Sequence, residues 1–354
     1  MKNEFKLKMD LQRFALSGLR EPIFTQENVD AYMKVEPVGP YLGDDLFPNV
    51  DQDDNKIEIV KGGQARVPMA YVQAFDGVAH KMGREASAEK IYERMDPIKI
   101  KMSMSERLYF KYAKGLINDI FTDQMLGEVA KVYKAIKDKI EFMRMEALST
   151  GKVVLDEATG YKRVVDLLLD DDHKAQITSD VDKWDDLENS DPIEDMLRWV
   201  EELGLEGAWA LTSTKIVRLI LRNKNVRREY YGDQISPHKR LTLDQLNDYL
   251  EGLGLPRIGT YDKYGWVEGK GGILTKKRFL AEDKFVILGS NPPGETQRTE
   301  SVEQLKGNNI VTLEDKIAIK QWETSEPEMV WWKGAAIQFP VLSDFDNIFT
   351  ATVI

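Results

Sequence analysis

An α+β fold is what this sequence predicts, on three observations. A single long amphipathic helix runs over residues 123–150, where Met125, Val129, Val132, Ile136, Ile140, Met143 and Ala147 recur at spacings of three and four and so share one face. A two-legged β excursion covers residues 56–102, with Ile57, Ile59, Val67, Met69 and Val72 on the outward leg and Ile91, Ile98, Ile100 and Met102 on the return. From Pro192 to Gly289 helix and strand patterns alternate, and the strand-like segments beyond read as returning to finish an earlier sheet. A domain completed by early and late segments is discontinuous.

Residues 1–50 read as an extended arm. Phe5, Leu7, Met9 and Leu11 alternate with polar residues, the period of a strand laid on another surface. Three prolines and two glycines within 36–48 make helix unlikely there. In the excursion, Gly62-Gly63 forms a turn and the polar tip lies near Arg84, Glu85, Ala86 and Ser87. Legs of some fifteen residues would reach on the order of 50 Å, past the edge of a compact domain, and a lone hairpin normally needs a partner surface. The long helix has Thr122 as its expected N-cap and Gly151 at its C-terminal turn, and its 28 residues span roughly 42 Å. Val153-Val154-Leu155 and Val164-Val165 flank a loop ending in Gly160, a short hairpin. Next come a helix at Pro192–Leu203, a strand at Ala208–Leu211, a helix at Thr214–Leu221, a helix capped by Thr242 and a buried strand at Phe285–Leu288. Met329–Trp332, Ala336–Phe339 and Ile348–Val353 supply the returning strands.

Among 354 residues the net charge is −11, and it is unevenly placed. Residues 166–195 hold twelve acids against Lys174 and Lys183, whereas residues 215–240 hold eight basic residues against Glu229 and Asp233. Such blocks serve as solvated faces, as complementary contacts between copies of the chain, or, for the basic one, as a nucleic-acid patch. The last lacks any zinc-finger or ribonucleoprotein motif. Apolar (42%) and charged (31%) fractions are those of a folded globular protein, which excludes wholesale disorder.

Chemistry-bearing patterns are missing. Zero cysteines exclude disulfides, thiolate nucleophiles and cysteine metal sites, and His80, His173 and His238 are scattered. Lys61-Gly62-Gly63 and Gly269-Lys270-Gly271-Gly272 lack phosphate-loop spacing and read as turns. Asp180, Asp182 and Asp186 resemble a calcium loop only until Trp184 takes a ligand position. His173 beside Asp172 has no nucleophile elbow and reads as an exposed histidine, and Trp331-Trp332 reads as core and interface on opposite faces of a strand. The first sixteen residues carry no export-type apolar core, and no run of 18 apolar residues suits a membrane span, so a cytoplasmic protein is expected.

Five short stretches, in this order, carry a family likeness: Pro97-Ile98-Lys99-Ile100-Lys101, Ala147-Leu148-Ser149-Thr150-Gly151-Lys152, Asp191-Pro192-Ile193-Glu194-Asp195, Val286-Ile287-Leu288-Gly289, and Gln338-Phe339-Pro340-Val341 through Asp346 to Val353. Together the sequence resembles the major capsid protein E family of tailed bacteriophages, the lambda-type members of the HK ninety-seven capsid fold. The resemblance implies a tailed-phage major capsid fold with an N-arm (1–50), an E-loop (51–102), a P-domain with its spine helix (103–191), an A-domain (192–300) and return strands completing the P-domain (301–354). It implies a non-enzymatic, cofactor-free head protein that self-assembles into pentamers and hexamers of an icosahedral shell around double-stranded DNA. Implied partners are further copies of itself, a separate scaffolding protein, a portal, a decoration protein and packaged DNA read without sequence specificity. Implied inter-subunit contacts are Phe5, Leu7, Met9, Leu11, Arg66, Arg84, Glu85, Arg222, Arg227 and Arg228. The chain has no room for the prohead domain that some members carry ahead of the arm, so a maturation cleavage need not occur. Assembly is expected in the bacterial host cytoplasm, ending in the virion. Alternatives are a minor head or tail structural protein, a cellular compartment shell of the same fold, or an enzyme with an unfamiliar site in the α/β part.

Overall fold

The computed structural model describes residues 23–62, 88–104, 106–114, 119–156, 160–204, 209–232, 239–269, 271–326 and 328–354. The chain divides into two units, one formed by residues up to Pro40, Pro97–Asp138 and Thr299–Ile337, the other by Tyr41–Asp96, Lys139–Arg298 and Gln338–Ile354. Both are discontinuous in sequence.

In the first unit, β14 (Ile310–Leu313), β15 (Ile317–Ser325), β16 (Glu328–Leu342) and β4 (Pro97–Ser103) lie side by side in that order, all antiparallel. The return of β16 to the early strand β4 puts Trp332 between Gln321 and Met102. Trp332 is fully buried and Trp331 stacks on Trp322 at 6.1 Å, so the two tryptophans do face opposite sides. Above this sheet lies the start of α4 (Asp119–Thr150). A Cβ at Gly334 would sit 2.6 Å from Val132 and 2.7 Å from Ile136, so only glycine lets the helix approach β16 this closely. Also in this unit are α1 (Gln26–Val35), α3 (Glu106–Ala113) and α9 (Val302–Lys306).

The second unit is built on the five-stranded sheet β7 (Lys174–Gln176), β17 (Ile348–Thr352), β12 (Lys284–Leu288), β8 (Trp209–Thr212) and β9 (Arg257–Thr260), in that order. Phe285, Ile287, Phe349 and Ala351 meet α5 (Pro192–Leu203), α6 (Thr214–Arg222), α7 (Lys224–Tyr231) and α8 (Leu243–Gly252) in one core. Its centre is aromatic: Trp184 lies 5.9 Å from Trp199 and 5.0 Å from Phe285. On the opposite face Thr350 donates to the Ser149 carbonyl at the end of α4, 2.9 Å away. Cover on both faces explains why β12 reads as an unbroken apolar run rather than an alternating one. This unit also holds α2 (Leu42–Leu46), β1 (Asn49–Asp51), the pair β2 (Lys56–Gly62) and β3 (Ala88–Arg94), the hairpin β5 (Lys152–Asp156) and β6 (Lys162–Asp166), the hairpin β10 (Tyr264–Glu268) and β11 (Leu274–Arg278), and β13 (Gly294–Thr299), which pairs in parallel with β1.

Four expectations need correcting. Residues 26–46 are not simply extended: Thr25 caps α1, whose Gln26 side chain both donates to and accepts from the Thr312 backbone on β14. Between Pro40 and Pro48 there is room for the five-residue α2, a single turn that neither proline interrupts. The long helix begins at Asp119, four residues before the predicted start, so Thr122 lies inside it. The return leg of the excursion is two strands. β3 pairs with β2, and after Pro97, which has no N–H to offer, β4 leaves to pair with β16. Residues 63–87, including the tip of the excursion, lie outside the described residues.

Candidate assembly surfaces

A polar cluster ties α4 to the segments around it in the second unit. Arg144, 1% exposed, donates to Asp44 at 2.6 Å and to the Thr296 hydroxyl at 2.9 Å. One turn earlier the fully buried Glu141 accepts from the Gly43 N–H at 3.1 Å and the Tyr261 hydroxyl at 2.5 Å. Burial raises the Glu141 carboxyl despite those donors and the nearby guanidinium, and burial followed by the Glu141 charge raises the Tyr261 phenol. Gly43 is dictated by the fit, since a Cβ there would lie 2.2 Å from the Glu141 carboxylate. The groups form a structural clamp on α2 and on the chain after β9.

The β2–β3 pair is held at its base. Arg163 of β6 grips the Glu93 and Asp96 carboxylates, and the Tyr161 hydroxyl donates to Asp96 at 2.6 Å. On the other side, the Gln297 amide donates to the Glu58 carbonyl at 3.0 Å and accepts from the Glu58 N–H at 3.1 Å. Ile57 and Ile59 are buried beneath. In the first unit Glu303 of α9 receives Lys333 at 2.6 Å and Lys99 at 3.0 Å on one oxygen. Burial alone would raise this carboxyl, but hydrogen bonds from Lys333 and then Lys99 outweigh it and hold it down to about 2.

The two charge blocks touch within one chain. Lys224, opening α7, pairs with Glu188 at 2.6 Å, and the Asn223 amide donates to the Ser190 carbonyl at 3.0 Å. Burial, and then the charges of Asp191 and Glu194, raise the Glu229 carboxyl on α7, so negative charge is crowded where α5 begins. Of the residues singled out from sequence, Arg222 and Arg228 are exposed, and Arg227 donates to the Lys239 carbonyl at 2.7 Å. Phe5, Leu7, Met9, Leu11, Arg66, Arg84 and Glu85 lie outside the described residues. His173, expected to be exposed, is half-buried with Nδ1 2.7 Å from the Ile348 carbonyl, because the turn it ends feeds directly into β7 beside β17. The feature missed from sequence is the β10–β11 hairpin, whose Tyr264, Trp266, Ile273 and Leu274 stay exposed. Its signal was present: apolar residues on both sides of the Gly269–Gly272 turn.

Among the described residues no group of His, Asp and Glu side chains is placed to hold a metal ion, and no helix is long and apolar enough to cross a membrane. The arrangement offers extended elements clamped at their bases, together with exposed apolar and charged surfaces.

Comparison with known proteins agrees. A structure assigned as the capsid protein of an E. coli CFT073 prophage superposes with a TM-score of 0.57 at 16% identity, covering 93% of this chain and 99% of that one. A phage-related protein from Bordetella bronchiseptica RB50 gives 0.53 at 11% identity, covering 94% and 98%. The capsid asymmetric unit of cyanophage A-1(L) gives 0.50 at 13% identity, covering 86% and 89%. No curated protein matches the sequence. The fold is therefore that of phage capsid proteins, and the profile described as "Phage major capsid protein E" matches residues 26–353. The chain belongs to the phage major capsid protein E family: it is a structural protein of a phage capsid, not an enzyme.

Proposed function

We propose that this chain forms the pentamers and hexamers of an icosahedral head that encloses double-stranded DNA, with a scaffolding protein supplied separately and a portal at one vertex. The observation that carries this reading is the extent of the family match, residues 26–353, which takes in every element of the fold. In this reading residues 1–50 are an arm and 51–102 an E-loop that reaches a neighbouring copy, 103–191 and 301–354 form the P-domain on the spine helix α4, and 192–300 form the A-domain. A shell is held by many modest contacts, since linked weak contacts give high avidity while misplaced subunits can still leave. The clamps at the base of β2–β3 support the reading, because a projecting hairpin grips a neighbour only if its root is fixed. The net charge of −11 suits a container that must not trap the incoming polyanion.

The test is sedimentation and negative-stain microscopy of the full chain, expressed alone and with the genes that adjoin its own. Closed shells of many megadaltons with the partners present are expected. Only monomers or small rings under those conditions would overturn the proposal. Assembly takes place in the host cytoplasm in this reading, so shells should already be present in cleared lysate.

A further inference from the structure

The five-stranded sheet of the second unit has a projection on one edge and a hollow on the other. At the β9 edge, three residues lead into β10, and the hairpin root is fixed by the Tyr261–Glu141 hydrogen bond, by Arg278 on Asp262 and by the Phe279 N–H on the Lys263 carbonyl at 3.1 Å. Beyond that root the two strands pair, among the described residues, only with each other. Trp266 is 59% exposed, Ile273 67% and Leu274 60%, and Lys276 sits over the Tyr264 ring at 3.4 Å. A preorganised finger bearing tryptophan, tyrosine and aliphatic side chains with a cation among them has the composition of an interface anchor rather than of a solvated loop.

At the β7 edge, four strand spacings or about 19 Å away, the chain after Gln176 and the start of α5 border an open hollow of about 420 Å³. Ile177 and Trp199 give it apolar wall, and Asp182, Asp191 and Glu194 line it. Arg198, its one cation among the described residues, is taken up by Asp195 at 2.7 Å. None of Asp182, Asp191 or Glu194 has a salt bridge among the described residues. The hollow is thus negative and part apolar, while the finger is positive and mostly apolar.

We propose that the β10–β11 finger of one copy seats in the acid-lined hollow of the next copy. The occupant is a second copy of this chain because the two surfaces are complementary in charge and both belong to one sheet, at its opposite edges. A contact between two different patches is head-to-tail, and it closes a ring where the rotation from copy to copy closes, as a pentamer or hexamer requires, and otherwise runs on as an open filament. This rests on the shell reading above and adds to it which surfaces close the capsomer.

The chain has no cysteine, so introduced thiols report without background. The experiment places Ile273→Cys and Asp182→Cys together in the full chain, with each single variant as control, and oxidises assembled particles mildly before non-reducing electrophoresis. A ladder of linked chains from the double variant, and none from either single variant, is expected. Intact particles without a ladder would overturn the contact and leave the shell reading standing. Dimers from the Ile273→Cys variant alone would overturn the head-to-tail arrangement. If the unmodified chain gives no large particles with its partners present, the shell reading falls, and this contact with it. Independently, Trp266→Asp at this exposed position should leave the circular dichroism melt unchanged and lower the sedimenting fraction about tenfold or more. An unchanged particle yield would also overturn the proposal.

Discussion

Arg144 shows how much of this fold rests on one side chain. Its guanidinium binds Asp44 and Thr296 and lies 3.8 Å from Glu141, a carboxylate with no exposure at all. Arg144→Met keeps the volume and removes the charge, leaving Glu141 buried without its cation, so a loss of about 3–5 kcal/mol is expected in chemical denaturation. Glu303 gives a pH-dependent counterpart. Its folded carboxyl is held at about 2 against an ordinary value of 4.5, so its stabilisation is complete above 4.5 and disappears as pH falls through 2. Glu303→Gln should therefore lower stability by about 2 kcal/mol at neutral pH and by little at pH 2, a convergence that melts across that window would show.

At the level of elements, the tightest fit is between α4 and β16. Gly334→Ala would push a methyl against Val132 and Ile136, on a strand already paired on both sides, at a cost of about 1–3 kcal/mol. Thermal melts of the variant against Val132→Ala in combination would show it, since the smaller partner should restore part of the loss. Elements with local signals were legible in the sequence. Asp191-Pro192 places the start of α5 because an Asn/Asp-type cap followed by proline is itself the helix signal, and Asp191 does accept from the Glu194 N–H. Thr242 and Gln245 form the capping box that opens α8. Elements held by distant partners were not legible. α1 depends on the Gln26–Thr312 pairing across 286 residues, and α7 buries Val226 alone. The same holds for the assembly surfaces: the charge blocks stood out by composition, but their contact through Lys224 and Glu188, and the exposure of the β10–β11 finger, arise only when the chain folds.

For the whole molecule, fold stability and assembly should respond differently to salt. The ion pair between the charge blocks is exposed on both partners, 62% and 68%, and contributes little to folding. In the shell reading proposed above, contacts between copies through these blocks would be steered over longer distances. Raising salt from about 0.1 M to about 1 M shortens the screening length from about 10 Å to about 3 Å. Light scattering should show slower capsomer formation over that range while the melting temperature of the subunit hardly moves. Equal assembly rates throughout would mean that the blocks are solvated faces only.

Gln297 has a consequence of another kind. By placing both ends of its amide on the N–H and C=O of Glu58, it occupies the middle of the β2 margin that faces away from β3, as a short stand-in for a strand. An extended segment arriving from elsewhere finds no uninterrupted row of donors and acceptors there to copy. Unpaired strand edges brought together at high local concentration are templates for cross-β stacking. One buried glutamine thus removes the middle of that margin as a template for another chain.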